Sequence, residues 1–545
     1  MKKSILCLLL TLTAVLANAT ESLSLVPYPA KLERQEGQFQ FKNQETCYIA
    51  PYQGDSICLV FHAFEQTMST AAGVQFKPVK RASKARFVLQ TADSLAPEAY
   101  RLRVTPRQVV IEAARPAGFF YALQTLKQLL PRHVMAGVAA RQPQPLTLPA
   151  IQVDDSPRFG WRGFMLDEGR HFYGKAEIKK ILDVMSVYKL NRFHWHLTED
   201  QGWRIEIKKY PRLTSTGAWR QSKVLGWGDT KPDGQRYGGF YTQEDIQEVV
   251  DYARERFIEI VPEVDIPGHS QAAVASYPDI LSCDPQQPHE VWLWQGISAD
   301  VINVANPAAV QFAKDVIDEL TALFPFGYIH LGGDECPTAK WEQNADCQQL
   351  LAQIGSKNYR DLQIHFYKQL KDYIAQKPQA EQRKLIFWNE VLHGNTAPLG
   401  NDITIMAWIG ADGAAQEAAK RGMTTILSPQ IPYYINRKQS KLPTEPHSQG
   451  YGDETVEAVY AYKPMHNVPF PLRANYLGVQ ANFWTEWVEE PEIVEYLMLP
   501  RLAAVAEAGW TPAGQRDYKG FRQRIQADQD YYRQAGLHYG KHIFE

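Results

Sequence analysis

After residue 155 the chain alternates short apolar runs with longer amphipathic stretches, and this alternation constrains its fold more than any other feature. Strands that are apolar on both faces and joined by crossover helices predict a parallel sheet covered by helices. Eight such units predict an α/β fold, the (β/α)8 or TIM barrel. An open doubly wound sheet is the alternative, but no G-x-G-x-x-G follows any run. The eight runs are Gly163–Leu166, Arg192–Leu197, Ile258–Ile266, Tyr328–Leu331, Leu385–Trp388, Ile403–Ile409, Thr424–Leu427 and Leu477–Phe483.

The stretches between the runs carry apolar residues at helical spacing. Thr242, with Asp245 three residues later, predicts a capping box at the start of the second of these helices. The predicted helical stretches are Ala176–Tyr188, Gln243–Phe257, Ala308–Phe324, Asp361–Ile374, Ala414–Arg421 and Glu492–Ala508.

The chain before the barrel has a different pattern. Tyr100–Val104 and Val109–Ala113 are two predicted strands joined by a turn, and Pro116–Leu130 is apolar at helical spacing. Arg141–Pro149 is proline-rich without periodicity, which predicts a linker. We therefore predict a smaller, non-catalytic α/β domain at residues 20–153 and a catalytic barrel domain at residues 154–545.

The first 19 residues have the pattern of a leader. Lys2 and Lys3 precede the apolar run Ile5–Leu16, which is followed by Ala17-Asn18-Ala19. A basic start, a hydrophobic segment and an A-x-A site predict a signal peptide at residues 1–19, and the run is too short for a stable transmembrane helix. We expect an exported protein, periplasmic or secreted or at the cell surface, with no membrane insertion after cleavage.

Composition limits the partners and the redox chemistry. The 58 Lys and Arg residues nearly balance 60 Asp and Glu, and the net charge of −2 argues against a nucleic-acid partner. No C-x-x-C pair is present, so zinc ribbons and thioredoxin-like redox chemistry have no support. Leader cleavage would leave an odd number of cysteines, at least one of them unpaired: Cys47, Cys58, Cys283, Cys336 and Cys347.

A barrel enzyme carries its catalytic groups at the carboxyl ends of the strands, and polar and aromatic residues follow the runs here. Pyranose rings stack on indoles and carboxylates accept hydrogen bonds from hydroxyls, so this combination predicts a sugar site. The strand-end segments are Asp167-Glu168, His196–Asp200, Asp265–His269, Gly332–Glu335, Trp388–Glu390, Trp408 and Trp484–Glu486.

The fourth run ends in Gly332-Gly333-Asp334-Glu335. The two glycines predict that a ligand approaches the backbone closely. Adjacent carboxylates repel each other, so we expect one of them to keep its proton near neutral pH. A protonated carboxyl is what a glycosidic leaving group needs.

On these residues the chain resembles the family 20 glycoside hydrolases, the β-N-acetylhexosaminidases. The resemblance spans the whole barrel in order, and the N-terminal unit resembles the family's non-catalytic α/β domain more weakly. The matching segments are Trp161–Asp167, Phe193–Trp203, Pro262–His269, His330–Glu335 and Gln480–Glu486.

The resemblance implies an exo-acting, retaining enzyme that removes a terminal β-linked N-acetylhexosamine, expected to be GlcNAc, with no metal and no cofactor. In that family the substrate supplies the nucleophile. The 2-acetamido oxygen attacks C1 and forms an oxazolinium ion. By resemblance, Glu335 protonates the leaving oxygen, Asp334 holds the acetamido N–H, and Tyr434 donates to the acetamido oxygen.

The resemblance also implies three further groups of site residues. They are a tryptophan box around the acetamido methyl and the ring, two residues that tune the acid–base carboxyl, and two that bind the outer hydroxyls. In that order they are Trp388, Trp408 and Trp484; Asp200 and His269; and Arg162 and Glu486.

One position departs from the family pattern. Two residues after Tyr434, where the family often has an acid that binds the C4 and C6 hydroxyls, this chain has Asn436, followed by Arg437. Because arginine suits tetrahedral oxyanions, the pair predicts acceptance of 6-sulfated GlcNAc. The alternative is that Arg437 begins a solvated basic loop.

Three other functions stay open from the residues alone. A metal-dependent barrel hydrolase could use His194 and His196, completed by Asp167, Asp200 and His269. A non-catalytic sugar-binding protein could retain the same strand-end carboxylates and tryptophans without their catalytic use. A conventional glycosidase could use one carboxylate as the acid and another as the nucleophile.

Overall fold

The eight apolar runs form the eight strands of a closed parallel barrel in the computed structural model, which describes residues 23–51, 56–140, 145–223 and 231–545. The predicted barrel is confirmed. We number the barrel strands 1 to 8 in chain order: Trp161–Asp167, Arg192–His196, Glu259–Glu263, Tyr328–His330, Lys384–Trp388, Thr404–Ala407, Thr424–Leu427 and Tyr476–Phe483.

Helices cover the outside of the barrel, and the second of them begins with the predicted capping box of Thr242 and Asp245. The predicted helix Glu492–Ala508 is two helices, because Pro500 has no N–H to continue the first one. The main helices are Lys175–Val187, Gln243–Arg254, Pro307–Leu323, Arg360–Ala375, Ala411–Lys420, Pro491–Met498 and Arg501–Trp510.

Short helices extend the loops after barrel strands 3 and 4 and the C-terminal segment. They are Gln271–Ser276, Pro278–Leu281, Ala339–Gln343, Ala345–Gln353, Tyr518–Ile525 and Asp528–Gln534. Between strands 7 and 8 lie the short helix Val456–Ala461 and a small sheet in which Arg437–Lys438 pairs with Gln449–Asp453.

The N-terminal domain is a mixed seven-stranded sheet with the helices Ser56–Ala72 and Pro116–Gln128 packed on it. Part of the predicted linker Arg141–Pro149 is instead a strand, Thr147–Asp155, which pairs with both neighbours in the sheet; residues 141–144 lie outside the described residues. In sheet order the strands are Lys31–Gln40, Thr147–Asp155, Tyr100–Val104, Val109–Ala113, Phe87–Thr91, Gln44–Ile49 and Gln75–Pro78.

The amino end of barrel strand 1 joins the two domains. Trp510, from the last barrel helix, packs into the core of the N-terminal domain and donates to Asp155 at 3.0 Å. Arg162 donates to Glu98 and Tyr121 of the N-terminal domain at 2.9–3.0 Å. The N-terminal domain therefore packs against the amino end of barrel strand 1 and the last barrel helix.

The predicted signal peptide at residues 1–19 lies outside the described residues. Among the residues that the structure describes, no helix has the length and apolar character needed to cross a bilayer.

Candidate active site

A cavity of about 510 Å³ opens at the carboxyl end of the barrel. Carboxylates and aromatic rings share its wall, as the strand-end residues predicted. The lining residues are Arg170, Gln295, Gly296, Ile297, Asp334, Glu335, Trp408, Gln430, Tyr434, Gln449, Trp484, Glu486 and Trp487.

The two adjacent acids after barrel strand 4 have different surroundings. The Asp334 side chain is 10% exposed, whereas the Glu335 side chain is 40% exposed at the cavity mouth. Nε2 of His269 lies 3.6 Å from Glu335 Oε2 and 3.8 Å from Asp334 Oδ2. Glu335 and His269 both have positive φ, +42° and +46°, an uncommon conformation for residues with a Cβ. The backbone is thus held in a strained form at the two residues that face each other across the site.

The two glycines before this pair make room for a protein side chain, not for a ligand as the sequence suggested. Gly332 has a φ of +68°, and a Cβ there would overlap the Asp265 carboxyl. Asp265 accepts from the Gly333 N–H at 3.1 Å, and its carboxyl lies beside that of Asp334 and the ring of His269. Asp265 was not among the predicted site residues. Its position at the end of barrel strand 3, four residues before His269, was the available signal.

The protonation of these groups differs from the simple expectation for two neighbouring acids. Burial and the nearby Asp334 carboxylate raise the pKa of Asp265 well above its usual range. Burial also raises the pKa of Asp334. Burial alone would raise the pKa of Glu335, but the nearby His269 cation lowers it overall.

His269 is the cation at the centre of this network. Burial would lower its pKa, but the Glu199 carboxylate, 3.1 Å from its Nδ1, raises the pKa well above the usual range. The predicted partner Asp200 lies farther away, at 3.5 Å, and also accepts from the backbone N–H groups of Gln271 and Ser298. Glu199 is therefore the closer carboxylate, and the sequence reasoning missed it.

Aromatic rings form one side of the cavity. Trp408 and Tyr434 stack with their ring planes 5° apart and their centroids 5.8 Å apart, and Trp484 lies 6.1 Å from Tyr434. Trp388 is fully buried behind Trp484, and its Nε1 donates to Glu263 at 2.8 Å. Of the three predicted tryptophans, Trp408 and Trp484 therefore line the cavity, and Trp388 is buried behind Trp484.

Two further groups complete this side. Burial raises the pKa of Tyr434 well above its usual range, so its hydroxyl stays a neutral hydrogen-bond donor. Trp408 Nε1 donates to Glu390 at 2.8 Å, and burial raises the pKa of Glu390 to about 8. Glu390 belongs to the predicted strand-end segment Trp388–Glu390, but no role in the site was predicted for it.

The predicted role of Arg162 in sugar binding is wrong. Arg162 has no path to the cavity, because it is fully buried at the opposite end of the barrel against Glu98. Arg170, three residues beyond the end of strand 1, lines the cavity instead, with ion pairs to Asp167 at 3.3 Å and Glu199 at 2.8 Å. Its Nε and the Glu486 Oε2 are buried without a hydrogen-bond partner in the described part of the chain. Unsatisfied buried polar atoms of this kind suit the hydroxyls of a bound ligand.

Asn436 and Arg437 lie behind the cavity wall. Asn436 Nδ2 donates at 2.9 Å to Gln449, which lines the cavity. Arg437 is fully buried, with Nη1 3.1 Å from Glu454 Oε1. Neither predicted residue is part of the cavity lining itself, and the solvated basic loop proposed as the alternative for Arg437 is wrong because its side chain is buried.

The histidines of the metal alternative form a separate, closed cluster. His194 and His196 contact the Glu263 carboxylate below the cavity, and all three side chains have no exposed surface. Together with His330 this cluster could hold an ion, as could two groups around His269. A catalytic metal keeps an open coordination position for water or substrate, and the cluster beneath the cavity offers none.

Most of the chain matches a known family in two parts. Residues 159–513 match the catalytic domain of glycosyl hydrolase family 20, and residues 22–156 match domain 2 of the same family. The chain belongs to glycosyl hydrolase family 20. The resemblance predicted from the strand-end residues is therefore confirmed.

Relatives and solved structures agree with this membership. A β-hexosaminidase from Porphyromonas gingivalis is 37% identical over 95% of this chain and 66% of its own length. One from Vibrio furnissii is 35% identical over 90% of this chain and 77% of its own length. An exo-β-N-acetylglucosaminidase structure from Vibrio harveyi, in complex with N-acetylglucosamine, superposes with a TM-score of 0.83 at 32% identity, covering 96% of this chain and 79% of that one. The chain spans slightly less than two thirds of the first of these relatives.

Proposed function

We propose that this protein is an exo-acting, retaining β-N-acetylhexosaminidase that removes terminal β-linked GlcNAc from glycans. The observation that carries the proposal is that Asp334 and Glu335 line the same cavity as the aromatic rings of Trp408, Tyr434 and Trp484. A cavity of about 510 Å³ fits one terminal sugar better than an internal segment of a glycan, which favours cleavage at the end of the glycan.

The mechanism that fits these positions uses the substrate's own amide. Asp334, which keeps one carboxyl oxygen without a partner among the described residues, would hold the acetamido N–H, and the Tyr434 hydroxyl would donate to the acetamido oxygen. Pinning a weak amide nucleophile close to C1 lowers the entropic part of the barrier by several kcal/mol. Attack forms an oxazolinium ion with retention at C1, and the ionised Asp334 offsets its positive charge.

Glu335 is the proposed general acid and base. Its exposed position at the cavity mouth places it beside a leaving group that points to solvent. In the free protein His269 favours the ionised carboxylate. The productive form therefore has the proton on Glu335 and a charge on Asp334, one arrangement of the shared protons of the coupled carboxyls.

The direct test compares aryl β-glycosides that share one leaving group. The wild type should cleave the N-acetylglucosaminide, whereas replacement of the acetamido group by a hydroxyl should nearly abolish turnover. A conventional two-carboxylate enzyme would cleave both sugars at similar rates. A sugar-binding protein would cleave neither, and full activity after exhaustive chelation would remove the metal alternative.

We further propose that the C6 side accepts a 6-sulfate. Support comes from the neutral amide at Asn436, which the family resemblance assigns to this side, and from the Arg437 cation next to it. The buried Glu454 carboxylate partially neutralises the Arg437 charge. The main support for 6-sulfate acceptance is therefore that Asn436 replaces an acid, which would repel the sulfate. Asn436→Asp should lower kcat/KM for 6-sulfated relative to plain substrate, since like charges repel; Asn436→Ser is the matched neutral control. An unchanged ratio in Asn436→Asp removes the idea.

We also propose that the protein is exported after loss of residues 1–19. Support comes from the sequence Lys2-Lys3, the apolar run Ile5–Leu16 and the Ala17-Asn18-Ala19 site. N-terminal sequencing of the protein from its native cells should give Thr20 as the first residue. A first residue of Met1 would contradict export through this leader.

A further inference from the structure

Two cysteines outside the active site lie against each other. Cys283 follows the short helix Pro278–Leu281, in the connection that carries His269, and Cys347 is on the helix Ala345–Gln353, in the connection that carries Glu335. The two thiols affect each other: their interaction raises the pKa of Cys283 and lowers the pKa of Cys347. Cys347 is fully buried and Cys283 is partly exposed.

One side chain fixes the backbones of both cysteines. Asn344 Nδ2 donates to the Cys283 carbonyl at 3.0 Å, and Asn344 Oδ1 accepts from the Cys347 N–H at 3.0 Å. Asn303 adds a second link, since Cys347 Sγ donates to its Oδ1 at 3.4 Å and its own N–H donates to the Leu281 carbonyl at 2.7 Å. The contact between the two thiols is therefore built into the fold.

We propose that Cys283 and Cys347 are an oxidisable dithiol that closes to a disulfide and ties the loop of His269 to the loop of Glu335. A disulfide requires the two sulfurs to approach to about 2 Å, and the Asn344 bridge holds the two backbones beside each other so that side-chain rotation can bring the sulfurs together. In the oxidising surroundings expected for an exported protein such a pair stays closed.

The oxidant can be any small-molecule disulfide. The partly exposed Cys283 loses its proton and attacks the oxidant first, forming a mixed disulfide and releasing one thiolate of the oxidant. The interaction with Cys347 and burial raise the pKa of Cys283, so this step is faster at higher pH. Cys347 then loses its proton and attacks Cys283 Sγ, which releases the second thiolate. Two cysteine thiols lose two electrons and two protons, and one disulfide of the oxidant becomes two thiols.

The bond would act on the catalytic pair through loop position. His269 and Glu335 hold strained positive-φ backbones and face each other at 3.6 Å. A cross-link between their loops removes conformations of the unfolded chain in which these loops separate. The oxidised protein should therefore melt at a higher temperature than the reduced one and lose activity more slowly on heating.

The test uses the full-length mature protein, incubated with oxidised glutathione or with dithiothreitol, then denatured, alkylated and digested without reduction. After oxidation, mass spectrometry should find the peptides of Cys283 and Cys347 joined, whereas the exposed Cys58 should carry glutathione. Alkylation or separate glutathionylation of both Cys283 and Cys347 after oxidation would overturn the proposal.

Two variants add an independent readout. Cys283→Ser should abolish the difference in melting temperature between oxidised and reduced protein, and the matched control Cys58→Ser should keep it. A difference that persists in Cys283→Ser would contradict the proposal. The peptide measurement on the unaltered chain decides the matter if Cys283→Ser does not fold.

Discussion

Arg162 and Arg170 lie at opposite ends of the barrel, and they show how differently two buried arginines can be used. Every nitrogen of the Arg162 guanidinium has a protein partner, including the Glu98 carboxylate and the carbonyls of Phe159 and Lys189. Arg170 pairs with carboxylates on one side, but its Nε has no partner in the described residues. Burial alone does not separate the two, since Arg162 is 0% and Arg170 is 6% exposed.

The same contrast holds for the two ends as a whole. At the amino end, Arg162 of the barrel donates to Glu98 and Tyr121 of the N-terminal domain, so this contact between the domains is satisfied by protein groups. At the carboxyl end, Asp334, Glu486 and Arg170 keep unsatisfied atoms around an open cavity. A polar group without a partner in a buried site costs free energy that only a ligand recovers. The unpartnered polar atoms around this cavity therefore indicate that a ligand binds at the carboxyl end of the barrel.

The largest expected effect is at the carboxyl end, in Glu335→Gln. Loss of the general acid should lower kcat for an aryl N-acetylglucosaminide by about 10³-fold, and melting temperature should barely change because the side chain is partly exposed. Kinetics and a thermal melt of the same preparation measure both. A variant within tenfold of wild-type kcat would mean that another group supplies the proton.

Matched arginine-to-lysine variants test the contrast between the ends. Arg170→Lys keeps the charge but loses the planar fork, so kcat/KM should fall by about 10- to 100-fold. Arg162→Lys should keep the kcat/KM of the folded protein and lower the melting temperature by a few degrees. Reversed outcomes, with activity lost in Arg162→Lys and kept in Arg170→Lys, would restore the original sequence-based assignment.

His269→Asn should move the pH profile. The His269 cation lowers the pKa of both Asp334 and Glu335, so its removal raises both. Catalysis needs Asp334 ionised and Glu335 protonated, and these two coupled carboxyls together set both limbs of the kcat/KM profile. Both limbs of kcat/KM should therefore shift to higher pH by roughly 1 unit. A profile that only loses height, without moving, would show that His269 does not set these pKa values.

The smallest effect is expected at the joint between the domains, in Glu98→Gln. Burial would raise the pKa of Glu98, but the Arg162 charge lowers it overall, so the ion pair adds stability above the ordinary carboxyl pKa and loses it as the pH falls. At pH 7 the variant should lose about 1 kcal/mol of unfolding free energy. Thermal melts at pH 7 and at acidic pH should show this loss shrinking in acid; a constant difference would rule out the charge effect.

Much of the fold follows from local pattern. Each of the eight barrel strands overlaps a predicted apolar run, because a strand buried on both faces needs a continuous apolar sequence. The strand Thr147–Asp155 was missed, since the prolines before it dominate the pattern of that segment. The break at Pro500 was also missed, because the apolar periodicity continues on both sides of it.

The site was less predictable from sequence than the fold. Strand ends correctly indicated Asp334, Glu335 and the tryptophans as neighbours, because carboxyl ends of barrel strands share one face. The places of Arg162, Arg170 and Asp265 depend on which partner each side chain meets across the barrel. That information lies in tertiary contacts such as the approach of Asp265 to Gly332, and no local pattern contains it.

The central claim is that the acetamido oxygen of the substrate is the nucleophile, and a fluorinated substrate series tests it most directly. Aryl β-glucosaminides with one leaving group would carry acetyl, monofluoroacetyl, difluoroacetyl or trifluoroacetyl on the 2-amino group. Each fluorine withdraws electrons from the attacking oxygen, so kcat/KM should fall steeply along the series, by orders of magnitude in total. Equal kcat/KM for all four substrates would contradict attack by the amide and indicate a protein carboxylate as the nucleophile.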